Sequence, residues 1–220
     1  ACMLLPFYWV IKTALTGENI YAYPPRILPE APHLFNFVDV WYLIPFPRYL
    51  LNSVLIACLA TVLSVVFNVG AGYAFAKLRF RGREAIFRTL LGALVIPGQV
   101  AMLPLFLMLK QMGLVNTYAG VIVPGLASIF GIFLVRQYAR SIPDELIEAA
   151  RIDGAGEWLI FFRIVLPMLK PVLVTLAIFT FMGSWNDFMW PLIVLTDQAN
   201  YTLPVALASL SREHIQDVEM

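Results

Sequence analysis

The chain has 220 residues, of which 60% are hydrophobic and 13% are charged, with a net charge of +1 and a mean hydropathy of +0.80. Soluble domains have about 25% charged residues, so this composition argues against a soluble enzyme and against a disordered chain. The near-neutral charge gives no sign of nucleic-acid binding, and the two cysteines and two histidines are too dispersed to predict a metal site. We therefore interpret the chain as an all-α membrane protein.

The first 47 residues predict two short segments rather than a complete membrane span. Residues 1–12 are apolar but too short to cross a bilayer, and no basic stretch precedes them as in a signal peptide. We interpret them as the outer end of a truncated first span. Residues 13–47 are rich in proline and aromatic side chains, which favours an outer segment lying along the membrane interface.

Four long uncharged runs follow and indicate a polytopic helical bundle over residues 48–210. A helix needs about 20 apolar residues to cross roughly 30 Å of hydrocarbon. Buried helices of a soluble core would have charged outer faces, which these runs lack. We predict spans near 50–76, 88–110, 117–138 and 165–186. The polar residues 211–220 are interpreted as an outer segment, with a final span missing.

The basic residues predict the orientation of these spans. Ten of the 15 lysines and arginines lie at 77–88 or 136–170, in or beside two of the connections between spans. Basic connections remain on the cytoplasmic side of a membrane. Residues 13–47, 111–116 and the region after Trp185 are therefore expected outside.

Several residues within the runs are candidates for bends, close packing or a polar pathway. Pro97 and Pro104 are expected to kink or break the second span. Small residues allow helices to approach closely, and polar side chains either line a pathway or bond to neighbouring helices. The residues concerned are Gly70, Gly72, Asn52, Asn68 and Gln99.

The connection at residues 140–164 has the pattern of two short helices. Ser141 is expected to cap the first helix, with Pro143 in its first turn and acidic residues at its positive dipole end. Gly154 is suited to the left-handed residue that ends it. A second amphipathic stretch begins at Glu157. The predicted apolar face consists of Ile142, Leu146, Ile147 and Ala150.

The polar face of the first short helix favours a protein partner over a lipid surface. It mixes acidic and basic side chains, whereas helices that bind anionic lipid are rich in lysine. Glu148 either pairs with Arg151 along the helix or contacts the partner. Pairing and partner contact both remain open at this level.

The same connection resembles a known family signature. Glu148-Ala149-Ala150, followed at fixed spacing by Gly154 and by Ile164-Val165-Leu166-Pro167, resembles the cytoplasmic "EAA" signature of binding-protein-dependent ABC importer permeases. The resemblance implies that residues 143–157 form a coupling helix docked into a cleft of a cytoplasmic ATPase. The implied coupling residues are Glu148, Ala149, Ala150, Gly154, Ile164, Leu166 and Pro167.

Three further stretches, 73–82, 184–192 and 201–205, resemble the carbohydrate branch of that family and its second permease subunit in maltose-like systems. The resemblance implies a multi-pass protein of a bacterial or archaeal cytoplasmic (inner) membrane. Its implied partners are an ABC ATPase dimer that holds ATP and magnesium, a second and different permease chain, and an extracytoplasmic sugar-binding protein. No cofactor is expected on this chain itself.

Aromatic, amide and carboxylate groups near the outer end of the last run are candidates for contact with a sugar. Such groups stack on sugar C–H faces and bond to hydroxyls, although an interfacial aromatic belt with a capping Asn-Asp pair is the simpler explanation. The candidate pathway residues are Asn52, Gln99, Trp185, Asn186 and Asp187, beside Trp190.

Two other functions were compared with the importer permease. A secondary carrier or channel is the alternative, although the first three uncharged runs lack the charged residue that ion coupling usually requires. An intramembrane enzyme is disfavoured because both histidines lie outside the runs and no GxSxG motif occurs. The chain also has no GxxxxGK[ST] phosphate loop, so it is not itself the ATPase.

Overall fold

The computed structural model describes residues 4–16, 34, 35, 38, 41 and 45–218, with side chains up to residue 210. All regular structure in these ranges is helical, in agreement with the all-α prediction. The chain forms two compact units, Ala1–Leu50 and Leu51–Met220, which are described separately. Most of the predicted interfacial segment 13–47 lies outside the described residues.

The first unit contains α1 (Leu5–Ala14) and the first residues of α2 (Phe46–Lys77). Pro6 lies in the first turn of α1, where its missing N–H has no helical partner to lose. The apolar side chains of α1 from Leu5 to Ile11 are exposed.

Helix α2 is, among the described residues, the one helix long and apolar enough to cross a membrane alone. Its 32 residues have a length of about 48 Å at 1.5 Å per residue, which exceeds the roughly 30 Å of a hydrocarbon core. The predicted span 50–76 lies within it. Up to four spans result if each of three bent helix pairs crosses as one.

These pairs are bent by 105°, 44° and 75°, in chain order. In the third pair, Phe161–Val165 is a π-helix and Leu169 separates the two halves. The pairs consist of α3 (Arg83–Ala93) with α4 (Gly98–Gln111), α5 (Tyr118–Ile122) and its 3₁₀ turn Val123–Gly125 with α6 (Ile129–Ala139), and Glu157–Met168 with α10 (Lys170–Asn186).

The remaining helices are short or follow these pairs. The Glu157–Met168 stretch begins with α8 (Glu157–Ile160) and ends with α9 (Leu166–Met168). The others are α7 (Asp144–Ile152), α11 (Met189–Val194) and α12 (Leu203–Val218). The predicted outer segment 211–220 therefore overlaps the end of a helix.

The predicted break at Pro97 is present, whereas Pro104 does not break its helix. Pro97 is the N-cap of α4, with an extended ψ of 131°, and α3 ends four residues earlier. Proline is tolerated at a helix start because the first N–H groups have no intrahelical acceptor. Pro104 lies inside α4, which continues to Gln111.

Asn68 stabilises the bend between α5 and α6. Its buried side-chain amide donates to the carbonyl and hydroxyl of Ser64, at 2.6 and 2.7 Å, and to the carbonyl of Leu126 at 3.3 Å. Its carbonyl oxygen accepts from the backbone N–H of Ser128 at 3.0 Å. Of the two predicted roles, lining a pathway or bonding to neighbouring helices, Asn68 therefore has the second. Its bonds satisfy backbone groups that are left without helical partners where the span is broken.

Helices α2 and α6 pack closely at Gly72. A Cβ atom added to Gly72 would lie 2.6 Å from Cβ and Cγ1 of Val135. The expectation of close packing is therefore confirmed at this glycine. It is wrong for Gly70, where no atom lies within 4 Å of an added Cβ, because that position faces away from the neighbouring helix.

Two apolar clusters form the core of the second unit. The larger one, here called the coupling-side cluster, joins α2, α6 and α10 to the connection between α6 and α10. The smaller one surrounds Trp190 and Val194 of α11 and Leu109 of α4. The coupling-side cluster consists of Val69, Tyr73, Val135, Ala139, Ile142, Ile147, Ile160, Val165, Leu169, Val172 and Leu176.

Candidate functional sites

The N-cap position of the short helix α7 lies two residues after the expected cap at Ser141. Pro143 occupies the N-cap position and no side chain caps the helix. The hydroxyl of Ser141 donates backwards to the carbonyl of Tyr138 at 2.7 Å, in the preceding turn. The cap prediction is wrong because the helix begins only at Asp144, and the Ser141 hydroxyl bonds to the end of α6 instead of accepting from an N–H of α7.

The apolar face of α7 is narrower than its spacing predicts. Ile142 and Ile147 are buried in the coupling-side cluster, and Ala150 packs against it. Leu146 is 46% exposed, so it lies outside the part of the predicted apolar face that is buried in this cluster. A helix of nine residues presents only a narrow stripe to the core, and Leu146 lies about 100° around the axis from Ile147.

Gly154 ends α7 in the left-handed conformation predicted for it. Its φ is +83°, and its N–H donates to the carbonyl of Arg151 at 3.0 Å. The N–H of Ala155 donates to the carbonyl of Ala150 at 2.9 Å. These two bonds form a Schellman motif, which reverses the chain toward Glu157.

Arg151 pairs with Glu157 and not with Glu148. Its Nε lies 2.8 Å from Oε1 of Glu157, across the Gly154 turn. This contact also raises the pKa of the Arg151 guanidinium. Of the two alternatives for Glu148, the pair along the helix is not formed, because the turn brings Glu157 back beside α7 and leaves Glu148 exposed.

Five exposed apolar residues lie on α7 and on the Glu157–Met168 stretch that follows it. They are here called the coupling face. Ile152 is 86% exposed and Trp158 is 76% exposed. The Trp158 ring stacks on Phe162 with centroids 6.1 Å apart. The coupling face consists of Leu146, Ile152, Trp158, Leu159 and Phe162.

The seven signature residues divide between this surface and the core. Glu148, Ala149, Gly154 and Pro167 are exposed. Ile164 is half-buried. The other two, Ala150 and Leu166, pack against the coupling-side cluster.

A buried lysine connects α7 to the end of α2. Lys77 Nζ lies 2.6 Å from Oδ1 of Asp144 and also donates to the carbonyl of Ile142. The Lys77 side chain is 6% exposed, whereas that of Asp144 is 73% exposed. The hydrogen bond and the positive charge hold the pKa of the Asp144 carboxyl below its ordinary value. The carboxylate therefore stays ionised, and the pair is lost only as the pH falls through that lowered pKa.

A second buried cation, Arg136 of α6, connects the neighbouring elements. Its guanidinium lies 2.6 Å from the Glu84 carboxylate at the start of α3 and over the Phe87 ring, 3.9 Å from the centroid. Its Nε donates to the carbonyl of Phe75 at 3.1 Å, in the last turn of α2. Sequence reasoning used Arg136 and Lys77 only as orientation signals, and nothing in their spacing indicated these partners.

A cavity of about 330 Å³ lies between α2, α4, the α5 turn, α10 and α11. It borders on the breaks of the first two bent helix pairs, at Gly98 and at Pro124 and Gly125. The indole of Trp190 lines it and is held by a bond from Nε1 to the carbonyl of Gly120 at 3.3 Å. Its polar wall consists of Thr180, Ser184 and Asp187.

Of the five candidate pathway residues, Asp187 alone lines this cavity. It also accepts the backbone N–H of Trp190, in the first turn of α11, at 3.3 Å. Gln99 is exposed in the first turn of α4. Trp185 stacks on Phe181, and the exposed Asn186 donates to Met182 within α10.

Asn52 has a structural environment instead. Its amide donates to the carbonyls of Ala199 and Tyr201, at 3.1 and 3.0 Å, and its oxygen accepts from the Tyr118 hydroxyl at 2.7 Å. The first two bonds hold the segment before α12 against α2, and the third holds α5 against α2. Thr180 and Ser184 were missed as candidates, although their spacing of four residues and that of Ser184 to Asp187 predict one helix face.

Comparison with known proteins gives a match to one family over most of the chain. Residues 34–215 match the family described as "Binding-protein-dependent transport system inner membrane component". A solved structure, described as a bacterial ABC transporter involved in the import of the acidic polysaccharide alginate, contains a chain with the same fold. The TM-score is 0.86 at 25% identity, over 94% of this chain and 74% of that one.

Two curated relatives are similar in sequence. An arabinooligosaccharides transport system permease protein of Halalkalibacterium halodurans is 46% identical over 159 residues, 72% of this chain and 57% of the relative. A diacetylchitobiose uptake system permease protein of Streptomyces coelicolor is 32% identical over 219 residues, 99% of this chain and 72% of the relative. The chain thus spans little more than half the length of the first relative and nearly three quarters of the second.

Proposed function

The chain belongs to the family of binding-protein-dependent transport system inner membrane components, and we propose that it is the permease subunit of an ATP-driven importer for sugars. In this proposal the full-length protein forms half of the translocation pathway in a bacterial or archaeal cytoplasmic membrane. The names of the two relatives, both oligosaccharide permeases, support the sugar assignment. So does the alginate importer with the same fold.

The observation that carries the proposal is the coupling face beside the exposed signature residue Glu148. Clustered exposed apolar residues mark contact sites in soluble surroundings, and here Trp158 stacks on Phe162. Ile152 and Trp158 are also among the most exposed apolar side chains of the described structure. Both residues lie on a connection that is rich in basic side chains, as cytoplasmic connections are. A cytoplasmic ATPase dimer is the partner that we assign to this surface, and it would hold the ATP and magnesium.

The geometry of α7 suits transmission of movement from that ATPase. Ile142 and Ile147 insert into the coupling-side cluster, which also contains residues of α2, α6 and α10. Packed clusters of this kind are displaced as units rather than deformed. In the proposed cycle a binding protein delivers sugar outside, ATP binding opens the pathway outward with a second permease, and hydrolysis resets it.

The cavity beside Trp190 supports contact between this chain and the sugar. Hydroxyl and carboxylate groups from Thr180, Ser184 and Asp187 can bond to sugar hydroxyls, and an indole face suits their C–H surfaces. Discontinuous helices at such a cavity are typical of transport sites.

A cavity-filling variant tests this contact. Ser184→Leu should reduce sugar uptake by the assembled transporter several-fold, because the larger side chain occupies the cavity. Val174→Leu, at an outward position of α10 that is 59% exposed, is the matched control and should retain uptake. Equal uptake by both variants would argue against a sugar contact here.

The experiment that tests the whole proposal is affinity purification of the full-length protein from its native membrane in mild detergent. We expect mass spectrometry to identify an ATPase, a second multi-span subunit and a binding protein. The binding protein would then be titrated with arabinooligosaccharides and diacetylchitobiose. Recovery of the folded protein alone under every detergent condition would favour the secondary carrier or channel instead.

A further inference from the structure

The last turn of α2, Phe75 to Lys77, is attached by buried cations to two other elements. The carbonyl of Phe75 accepts from Arg136 of α6. Two residues later, Lys77 extends to Ile142 and Asp144 at the start of α7. The last turn of α2 therefore contacts both α6, the second half of a broken span, and the start of α7, the proposed coupling helix.

The start of α7 is attached to this junction through Lys77. No side chain caps the helix at Pro143, which occupies the N-cap position. The Lys77 ammonium donates to a backbone carbonyl before the helix and to the carboxylate of its first residue. These two acceptors belong to the residues on either side of Pro143, so the bonds fix the start of α7 relative to α2.

A purely structural role does not require a charged residue at position 77. Burying an ammonium carries a desolvation cost, and an apolar side chain of similar volume often stabilises a fold as well or better. What the ionic contact adds is a defined position for Asp144 relative to Lys77, because hydrogen bonds to a charged group are short and directional.

We propose that Lys77 is a positioning residue that makes the start of α7 and the cytoplasmic end of α2 move together, so that a displacement of the coupling helix reaches the long span. Arg136 connects the same turn to α6 and α3 through Phe75 and Glu84. The inference rests on the proposed function, since it assumes an ATPase that displaces α7.

The test uses the full-length protein purified with its ATPase and second permease and reconstituted in nanodiscs. Cys2 and Cys58 are replaced by serine, and Phe80→Cys places one label site three residues after α2, where Phe80 is 42% exposed. The readout is the rate of labelling by a maleimide with and without ATP and vanadate, beside the rate of ATP hydrolysis.

We expect ATP and vanadate to change the labelling rate of the parent protein. Lys77→Met should reduce this change several-fold while ATP hydrolysis and co-purification of the ATPase are retained. Asp144→Lys should reduce the change in labelling rate to a similar extent, because the new positive charge repels Lys77. Asp144→Glu keeps the negative charge and should retain the change in labelling rate. Glu145→Lys is the matched control, because it makes the same charge change at the next exposed residue of α7.

Several results would overturn the inference. One is an unchanged labelling response in Lys77→Met, and another is an equal loss in Asp144→Lys and Glu145→Lys. A loss in Asp144→Lys but not in Lys77→Met would indicate direct contact between Asp144 and the ATPase. If Lys77→Met does not assemble, the comparison at the exposed positions 144 and 145 decides the question.

The result that would contradict the proposed function differs from the one that would contradict this inference. Absence of an ATPase from the purified complex would contradict the function itself. An intact complex that hydrolyses ATP without any change in labelling of the parent protein would contradict only the transmission through α2.

Discussion

Gly154 shows how one residue determines the shape of the connection between α6 and α10. Its φ of +83° belongs to the left-handed region, which costs a residue with a side chain about 1–2 kcal/mol. No atom lies within 4 Å of an added Cβ, so backbone strain and not collision is the penalty. The effect of a substitution should therefore be confined to the turn between α7 and α8.

We predict that Gly154→Val uncouples sugar uptake from ATP hydrolysis while membrane insertion is retained, because the altered turn displaces α7 from its partner. Uptake and hydrolysis would be measured on the reconstituted transporter. Gly156→Val is the control, since Gly156 has an ordinary φ of −72° and equally open space. Normal coupled uptake in Gly154→Val would contradict the role of this turn.

Asn68 shows the consequence of a polar residue buried within a span. Asn68→Leu removes a fully buried amide and leaves the N–H of Ser128 and the carbonyl of Leu126 without their partner. Each unsatisfied group costs about 1–3 kcal/mol, so thermal unfolding in detergent should occur at a clearly lower temperature. Asn186→Leu, at an exposed position with one bond inside α10, should change it little.

At the scale of elements, close packing between α2 and α6 depends on a single glycine. Gly72→Ala places a methyl group 2.6 Å from Val135, and overpacking of this kind costs about 1–3 kcal/mol. We expect a lower unfolding temperature and less assembled complex. Gly70→Ala, two residues away in the same helix and facing open space, is the control and should behave like the parent protein.

The helical elements also show how far sequence reasoning reached. It predicted the long helical runs, the break at Pro97, the stop at Gly154 and the second helix from Glu157, because these features depend on residues close in the chain. It did not predict the exposure of Leu146 or the pairing of Arg151 with Glu157, because both depend on how the Gly154 turn packs against the core. A helical period predicts which face of the helix a side chain is on, but not which other residues pack against that face.

At the scale of the whole molecule, the distribution of basic residues predicts its orientation. A cysteine at Ala149 should react with an impermeant maleimide only after the membrane is opened, since positive connections remain inside. A cysteine at Met112, which is 63% exposed in the segment predicted outside, should react in intact cells. The opposite pattern would reverse the topology and contradict docking of a cytoplasmic ATPase on the coupling face.

The sequence by itself determined the class, the helical architecture and the family of this protein. Hydropathy and composition are sums over many residues, so single contacts hardly alter them, and the EAA-like signature has a fixed spacing within one connection. These are local or additive properties of the chain. No knowledge of packing was required to read them.

Only the tertiary structure decided which polar residues are available and which are used internally. It joined Asn52 to a segment about 150 positions away and Lys77 to Asp144, 67 positions away. It also left Asp187 at a cavity wall with two hydroxyl residues that the sequence analysis had passed over. Partners this distant in sequence meet because helices pack side by side, and hydrogen bonding then selects among polar groups that look alike in the sequence.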